Sequence, residues 1–219
     1  MQKVDKLANY ENPKSLGNRF REKRFAFFKS KIDGLDKPLK ILDVGGTQLF
    51  WVNRGFHNNP DYHITLLNLH KEPADHANIE SMVGDATDLS AYDDNHFDLI
   101  FSNSVIEHLF TYENQQKMAS EVQRVGQYHY IQTPNYYFFV EPHYLLPFFQ
   151  FLPRNIRLFI LTKTRFSRGK KLSIQEANRS LDEIQLLSKK QYKQLFPNSK
   201  IYKEKFVGMT KSLTAYNLT

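Results

Sequence analysis

Two short segments pair a carboxylate with an imidazole. Glu107 and His108 are adjacent in "FSNSVIEHL", and Glu141 and His143 stand two apart in "VEPHYL". An imidazole changes charge near neutral pH, so His108 and His143 are the candidate bases, with Glu107 and Glu141 as their acidic neighbours. A third segment, "LKILDVGGTQLFW", is an apolar run followed by Asp43, Gly45, Gly46 and Thr47. Taken alone, it is either a ligand loop after a buried strand or a plain strand-to-helix turn.

The elements that must position these residues alternate. The spacing of Leu16, Phe20, Phe25, Phe28 and Ile32 predicts an amphipathic helix over 14–33, stopped by Gly34, with Arg21 and Arg24 on its solvated face. Strands are expected at 39–45, 62–69, 79–86, 96–104 and 127–135, and a helix at 113–125 with Met118, Val122 and Val125 inward. Crossovers of this length imply parallel pairing in an open α/β sheet. The last two strand-like runs, "SKIYKEKFVG" and "TKSLTAYNL", are joined too tightly to be parallel and form an antiparallel hairpin turning near Gly208 and Met209. An insert over 136–185 lies between them and the fifth strand. Its first half is aromatic and broken by Pro142, Pro147 and Pro153; its second half reads as a polar, basic, mobile stretch. The insert is either a cap over a substrate or, through 136–160, a segment at a membrane interface, since no apolar run in it reaches the roughly 18–20 residues a span needs.

Composition narrows the chemistry. The 219 residues fit one domain, and a hydrophobic share of 41% supports a true core. The absence of cysteine excludes disulfides, thiolate metal centres and thiol nucleophiles. The charged start "MQKVDKLANYENPK" lacks the apolar core of a signal peptide, so a cytoplasmic location is expected. The net charge of +7 suits anionic partners or simple solubility.

In an open parallel sheet the ligand sits beyond the carboxyl ends of the strands. There lie Asp43, Gly45, Gly46 and Thr47, then Asn68, then Asp85 and Ala86, then Ser102 and Asn103. The order "LDVGG", "LLNL", "GDATDL", "FDLIFSNSVIEHL", "IQTPN" and a final hairpin with "TKSLTAY" resembles the class I S-adenosylmethionine-dependent methyltransferases, over residues 39–135 and 186–217. The resemblance implies a Rossmann-like three-layer α/β sandwich spanning 1–219 as a single domain. Its seven-stranded sheet would be mostly parallel with an antiparallel C-terminal strand, and would carry a helical cap insert. It also implies S-adenosylmethionine at Asp43, Gly45, Gly46, Thr47, Asn68, Asp85, Ala86, Ser102 and Asn103. In that reading Asp43 faces the ammonium and Asp85 the adenine amino group, with the Ala86 amide toward N1.

Two features depart from the family pattern. Thr47 and Leu49 replace further glycines of the loop, and Asn68 stands where an acidic residue grips the ribose; Glu72 is a substitute there. Amino-methylating relatives carry an Asn/Asp-Pro-Pro-aromatic run after strand four, which "SNSVIEH" lacks, and without cysteine the covalent route to cytosine methylation is closed. O-methylation of a small molecule or sugar is therefore the expected reaction, with the acceptor under the insert. "VIEHL" with "TPN" also resembles small-RNA 3′-end and ubiquinone-pathway methyltransferases, which hold a divalent metal through Glu-x-x-Glu-His. Here the first glutamate is replaced by Ser104, leaving Glu107, His108 and His143 as a three-ligand set; a metal-free base is favoured over it. RNA methylation and non-catalytic cofactor binding are the rival readings.

Overall fold

The computed structural model describes residues 16–219. Helix α1 runs Leu16–Ile32; the charged N-terminal stretch and the expected helix start at 14 lie outside the described residues. The parallel strands follow: β1 (Leu39–Val44), β2 (Tyr62–Asn68), β3 (Ile79–Val83), β4 (Phe97–Asn103) and β5 (Gly126–Pro134). A five-residue α2 (Gln48–Val52) follows β1, and α3 (Tyr112–Val125) precedes β5. After the insert come α6 (Lys189–Leu195) and the hairpin of β8 (Lys200–Phe206) and β9 (Met209–Tyr216). The sheet order is β3-β2-β1-β4-β5-β9-β8. Only the β5–β9 and β8–β9 pairings are antiparallel. This is the seven-stranded Rossmann-like arrangement expected, although β3 stops at Val83 rather than 86.

The central strands β1, β2 and β4 are mostly apolar because both of their faces are covered. Neighbouring residues serve opposite layers. Ile41, Leu66, Leu99 and Phe101 pack with Phe28, Ile32, Trp51 and Phe56 under α1 and α2. Leu42, Leu67, Ile100 and Ile131 pack with Met118, Val122, Tyr192 and Phe196 under α3 and α6. The hairpin turns at Val207 and Gly208, one residue earlier than expected. Both have positive φ, the geometry that matches strand twist in a two-residue turn.

Two expectations are corrected. Arg21 and Arg24 are half-buried, not on a solvated face, because α1 presses this side toward the sheet. Arg24 reaches the buried Glu204 of β8 at 3.5 Å. The insert is also more ordered than its polarity suggests. It begins with a small hairpin, β6 (Val140–Glu141) and β7 (Leu146–Pro147), and continues in α4 (Arg154–Lys163). Its basic second half then forms α5 (Ile174–Glu183), started by a reciprocal Ser173–Glu176 capping box. Tyr144, Phe149, Leu161, Ala177 and Leu181 form a core of the insert's own.

Candidate active site

The loop after β1 is tight for a steric reason. Gly45 has φ +76°, a region closed to most side chains, and a Cβ on it would stand 2.4 Å from Val105 Cγ2. A Cβ on Gly46 would stand 1.6 Å from Asp43 Oδ2. Asp43 is therefore not open to a ligand. It is buried beneath Gly46, and its Oδ2 accepts from the Trp51 indole at 2.7 Å. Burial pushes its carboxyl up to about 7, although the indole hydrogen bond pulls the other way. Asn68 closes the loop from the other side, its Nδ2 donating to the Gly46 carbonyl at 2.9 Å. A carboxylate has no proton to donate there, which gives a physical reason for the amide.

The raised carboxyl has a consequence for stability. Between its ordinary 3.8 and about 7 the native state keeps a proton that the unfolded chain has released. Stability should therefore fall as pH rises across this window, by at most about 1.4 kcal/mol per pH unit. Asp43→Asn keeps an acceptor for Trp51 and removes the titration. Urea unfolding at several pH values should show the variant's disadvantage shrinking, or reversing, as pH rises. A constant difference between the two proteins would refute the assignment.

A cavity of about 620 Å³ opens between α1 and the carboxyl ends of the central strands. Arg21, Arg24 and Arg54 line it together with Thr47, Asn103 and the rings of Phe25, Phe50, Phe101 and Tyr130. Residues of the insert do not line it. Farther along the same end, Asp85 is exposed, and its Oδ1 accepts from the backbone and hydroxyl of Thr87, both at 2.8 Å. Leu69, Met82 and Val83 beside it are exposed apolar residues at the ends of β2 and β3, and Ala86 is buried. Ser102 is corrected: it is fully buried and donates to the Val44 carbonyl at 3.1 Å, joining β4 to β1 rather than facing a ligand.

The two acid–imidazole pairs converge. Glu107 and His108 form a single 3-10 turn, Ile106–His108, just past β4. The insert returns over this turn, with Gln185 N donating to Glu107 O at 2.7 Å. His108 and His143 meet edge to face, ring centres 4.9 Å apart. Each Nδ1 is engaged by a carboxylate, His108 by Glu183 at 3.0 Å and His143 by Glu141 at 2.7 Å, so Nε2 is the ring nitrogen left to act. Burial pulls the His143 pKa down, but the hydrogen bond and charge of Glu141, with Glu107, outweigh it and leave the imidazole above its ordinary value. Glu107 is fully buried. Its Oε2 accepts from the Thr133 hydroxyl at 3.0 Å, its Oε1 has no partner, and burial drives its carboxyl upward. Donor atoms of Glu107, His108 and His143 all lie within 4.8 Å of one another. Ser104 does not join them, since its hydroxyl donates to Gln132 Oε1 at 2.9 Å.

Sequence reasoning did not find Glu183 or Arg168. Glu183 lies 75 residues from the histidine it holds, with no local pattern to mark it. Arg168 Nε and Nη2 donate to the carbonyls of His143 and Pro142 at 2.7 and 3.0 Å, fixing the loop that carries His143.

Sheet order and the tight loop after β1 make this a Rossmann-like α/β fold of the kind that solved S-adenosylmethionine-dependent methyltransferases share. The family model described as a methyltransferase domain matches residues 45–128, which hold the loop after β1 and strands β2 to β4. Among solved structures, the chain resembles a methyltransferase of this type from Methanosarcina mazei (15% identity, 84% of this chain and 92% of that one, TM-score 0.50). It also resembles one from Aquifex aeolicus (15% identity, 98% and 96%, TM-score 0.50) and the carbon methyltransferase CurJ (11% identity, 90% and 53%, TM-score 0.54). At these identities the likeness concerns the fold. No curated protein matches the chain.

Proposed function

We propose that the protein methylates a hydroxyl group of a small molecule or sugar, using S-adenosylmethionine as methyl donor. The observation that carries this reading is the convergence of His108, His143 and the buried Glu107 at the strand ends, under the insert.

The residues present fit the cofactor. Arg21 and Arg54 in the cavity suit its carboxylate, Gly45 and Thr47 give backbone access, and Asn103 offers an amide. Leu69, Met82 and Val83 suit the adenine face, with the free Asp85 Oδ2 and the Ala86 amide for its edge. Asn68 keeps its carbonyl oxygen for a ribose hydroxyl. Asp43 acts through the loop rather than on the ammonium. When bound, the cofactor supplies an electrophilic methyl group. The protein then has to hold a hydroxyl in line and take its proton. In this reading His143 Nε2 receives that proton, and Glu141, at its Nδ1, stabilises the imidazolium. His108, held by Glu183, and Glu107 orient the acceptor.

The partnerless Glu107 Oε1 favours a second reading, in which Glu107, His108 and His143 bind a divalent cation that lowers the pKa of the acceptor hydroxyl. Calorimetry with S-adenosylmethionine should show saturable binding. A screen of hydroxylated acceptors, read by mass gain of one methyl, should then show turnover. No cofactor binding would sink both readings, whereas binding without turnover on any acceptor would favour a non-catalytic role.

A further inference from the structure

The insert presents a surface that methyl transfer does not use. Between Arg154 and Lys171 the chain has seven Lys or Arg residues and no Asp or Glu. On α4, Ile156, Phe159 and Lys163 share one exposed stripe at i, i+3 and i+7. Phe159 is 61% exposed, Phe166 in the following loop 73%, and Ile174 at the start of α5 66%. Phe148 and Phe151, leading into α4, are exposed as well. Arg165, Lys170 and Lys171 stand exposed in the same loop. Large apolar side chains left in water beside cations are costly for a surface with no partner.

We infer that α4 and the basic loop after it form a docking surface for an anionic lipid bilayer. Charge complementarity selects the partner: the exposed Lys163, Arg165, Lys170 and Lys171 face a negative surface, while the rings and aliphatic groups enter the headgroup boundary. Helix α4 has ten residues, and no helix among the described residues is long and apolar enough to cross a membrane, so α4 lies in the interface. Ile156 and Ile174 favour lipid over RNA, since aliphatic side chains offer bases no stacking plane. Arg168 belongs to the same basic run and holds the His143 loop, so the docking face borders the acid–imidazole cluster. The inference stands independently of which acceptor is methylated.

The test is vesicle co-sedimentation of the full chain. Vesicles of phosphatidylcholine alone are compared with vesicles containing roughly one third phosphatidylglycerol. The protein should sediment with the anionic vesicles only, and release as salt rises. Phe159→Glu with Phe166→Glu, and separately Lys163→Glu with Lys170→Glu and Lys171→Glu, should each weaken binding by roughly tenfold or more. Circular dichroism and melting should be unchanged, which shows that the variants fold. Failure of the unaltered protein to bind anionic vesicles, equal binding to neutral ones, or full binding by both folded variants would overturn the inference. So would an RNA oligonucleotide bound through the same lysines while vesicles are ignored.

Discussion

Replacing Gly46 by alanine is expected to abolish measurable S-adenosylmethionine binding and to lower the melting temperature. The added Cβ would fall 1.6 Å from Asp43 Oδ2 and 2.1 Å from its Cγ. Asp43 cannot swing aside, because it is buried and fixed by the Trp51 indole at 2.7 Å. The strain must therefore be released in one of two ways. Either the loop lifts away from β1, or the Asp43–Trp51 hydrogen bond breaks and leaves a buried carboxyl unpaired. Overpacking costs about 1–3 kcal/mol, and an orphaned buried polar group a similar amount. Lifting the loop also breaks the Asn68–Gly46 hydrogen bond and moves Thr47, so affinity should fall by about 100-fold or more. Gly34→Ala is the control, since nothing lies within 4 Å of its Cβ position. Calorimetry and thermal melting of the two variants decide the matter; wild-type affinity and stability in Gly46→Ala would show that the loop tolerates what this geometry forbids.

Much of the fold could be read from periodicity. The central strands β1, β2 and β4 are apolar runs because residues such as Ile41 and Leu42 face different helical layers, and such runs bounded by turn residues are distinctive. The second half of the insert was hidden because its amphipathic signal is short: only Ala177 and Leu181 are buried in α5. At the site, strand-end residues were legible by position, but the direction of their side chains was not. Ser102 and Asn103 are consecutive, so one is buried against Val44 while the other faces the cavity. Likewise Arg21 and Arg24 read as solvated until the packing of α1 placed them in the cavity. The pairing of Glu141 with His143 is local and visible in sequence; the hold of Glu183 on His108 is created only by the return of the insert.

The acid–imidazole cluster yields the prediction that most sharply divides its two chemistries. A buried carboxylate such as Glu107 needs a compensating positive charge or a proton. The group that can supply it is either the imidazolium of His143 or a divalent cation among Glu107, His108 and His143. In both cases His143→Ala should cut turnover by about 10²–10⁴-fold while cofactor affinity, set at the β1 loop, is unchanged. The remaining behaviour differs. If His143 is a metal-free base, it must be neutral to accept a proton, and its pKa is held above the ordinary histidine value by Glu141 and Glu107. Turnover should then rise with pH through that elevated pKa. Glu141→Gln, which removes the charge facing Nδ1, should move this rise to lower pH, and a chelator should have no effect. If a cation is the activating group, a chelator should remove turnover and added divalent metal restore it. Glu107→Gln should then raise the metal concentration needed for half-activity by about 10–100-fold, the range seen when a ligand set is weakened. Activity retained in His143→Ala, with normal cofactor binding, would exclude both chemistries at this cluster and leave the acceptor's own acidity as the source of the nucleophile.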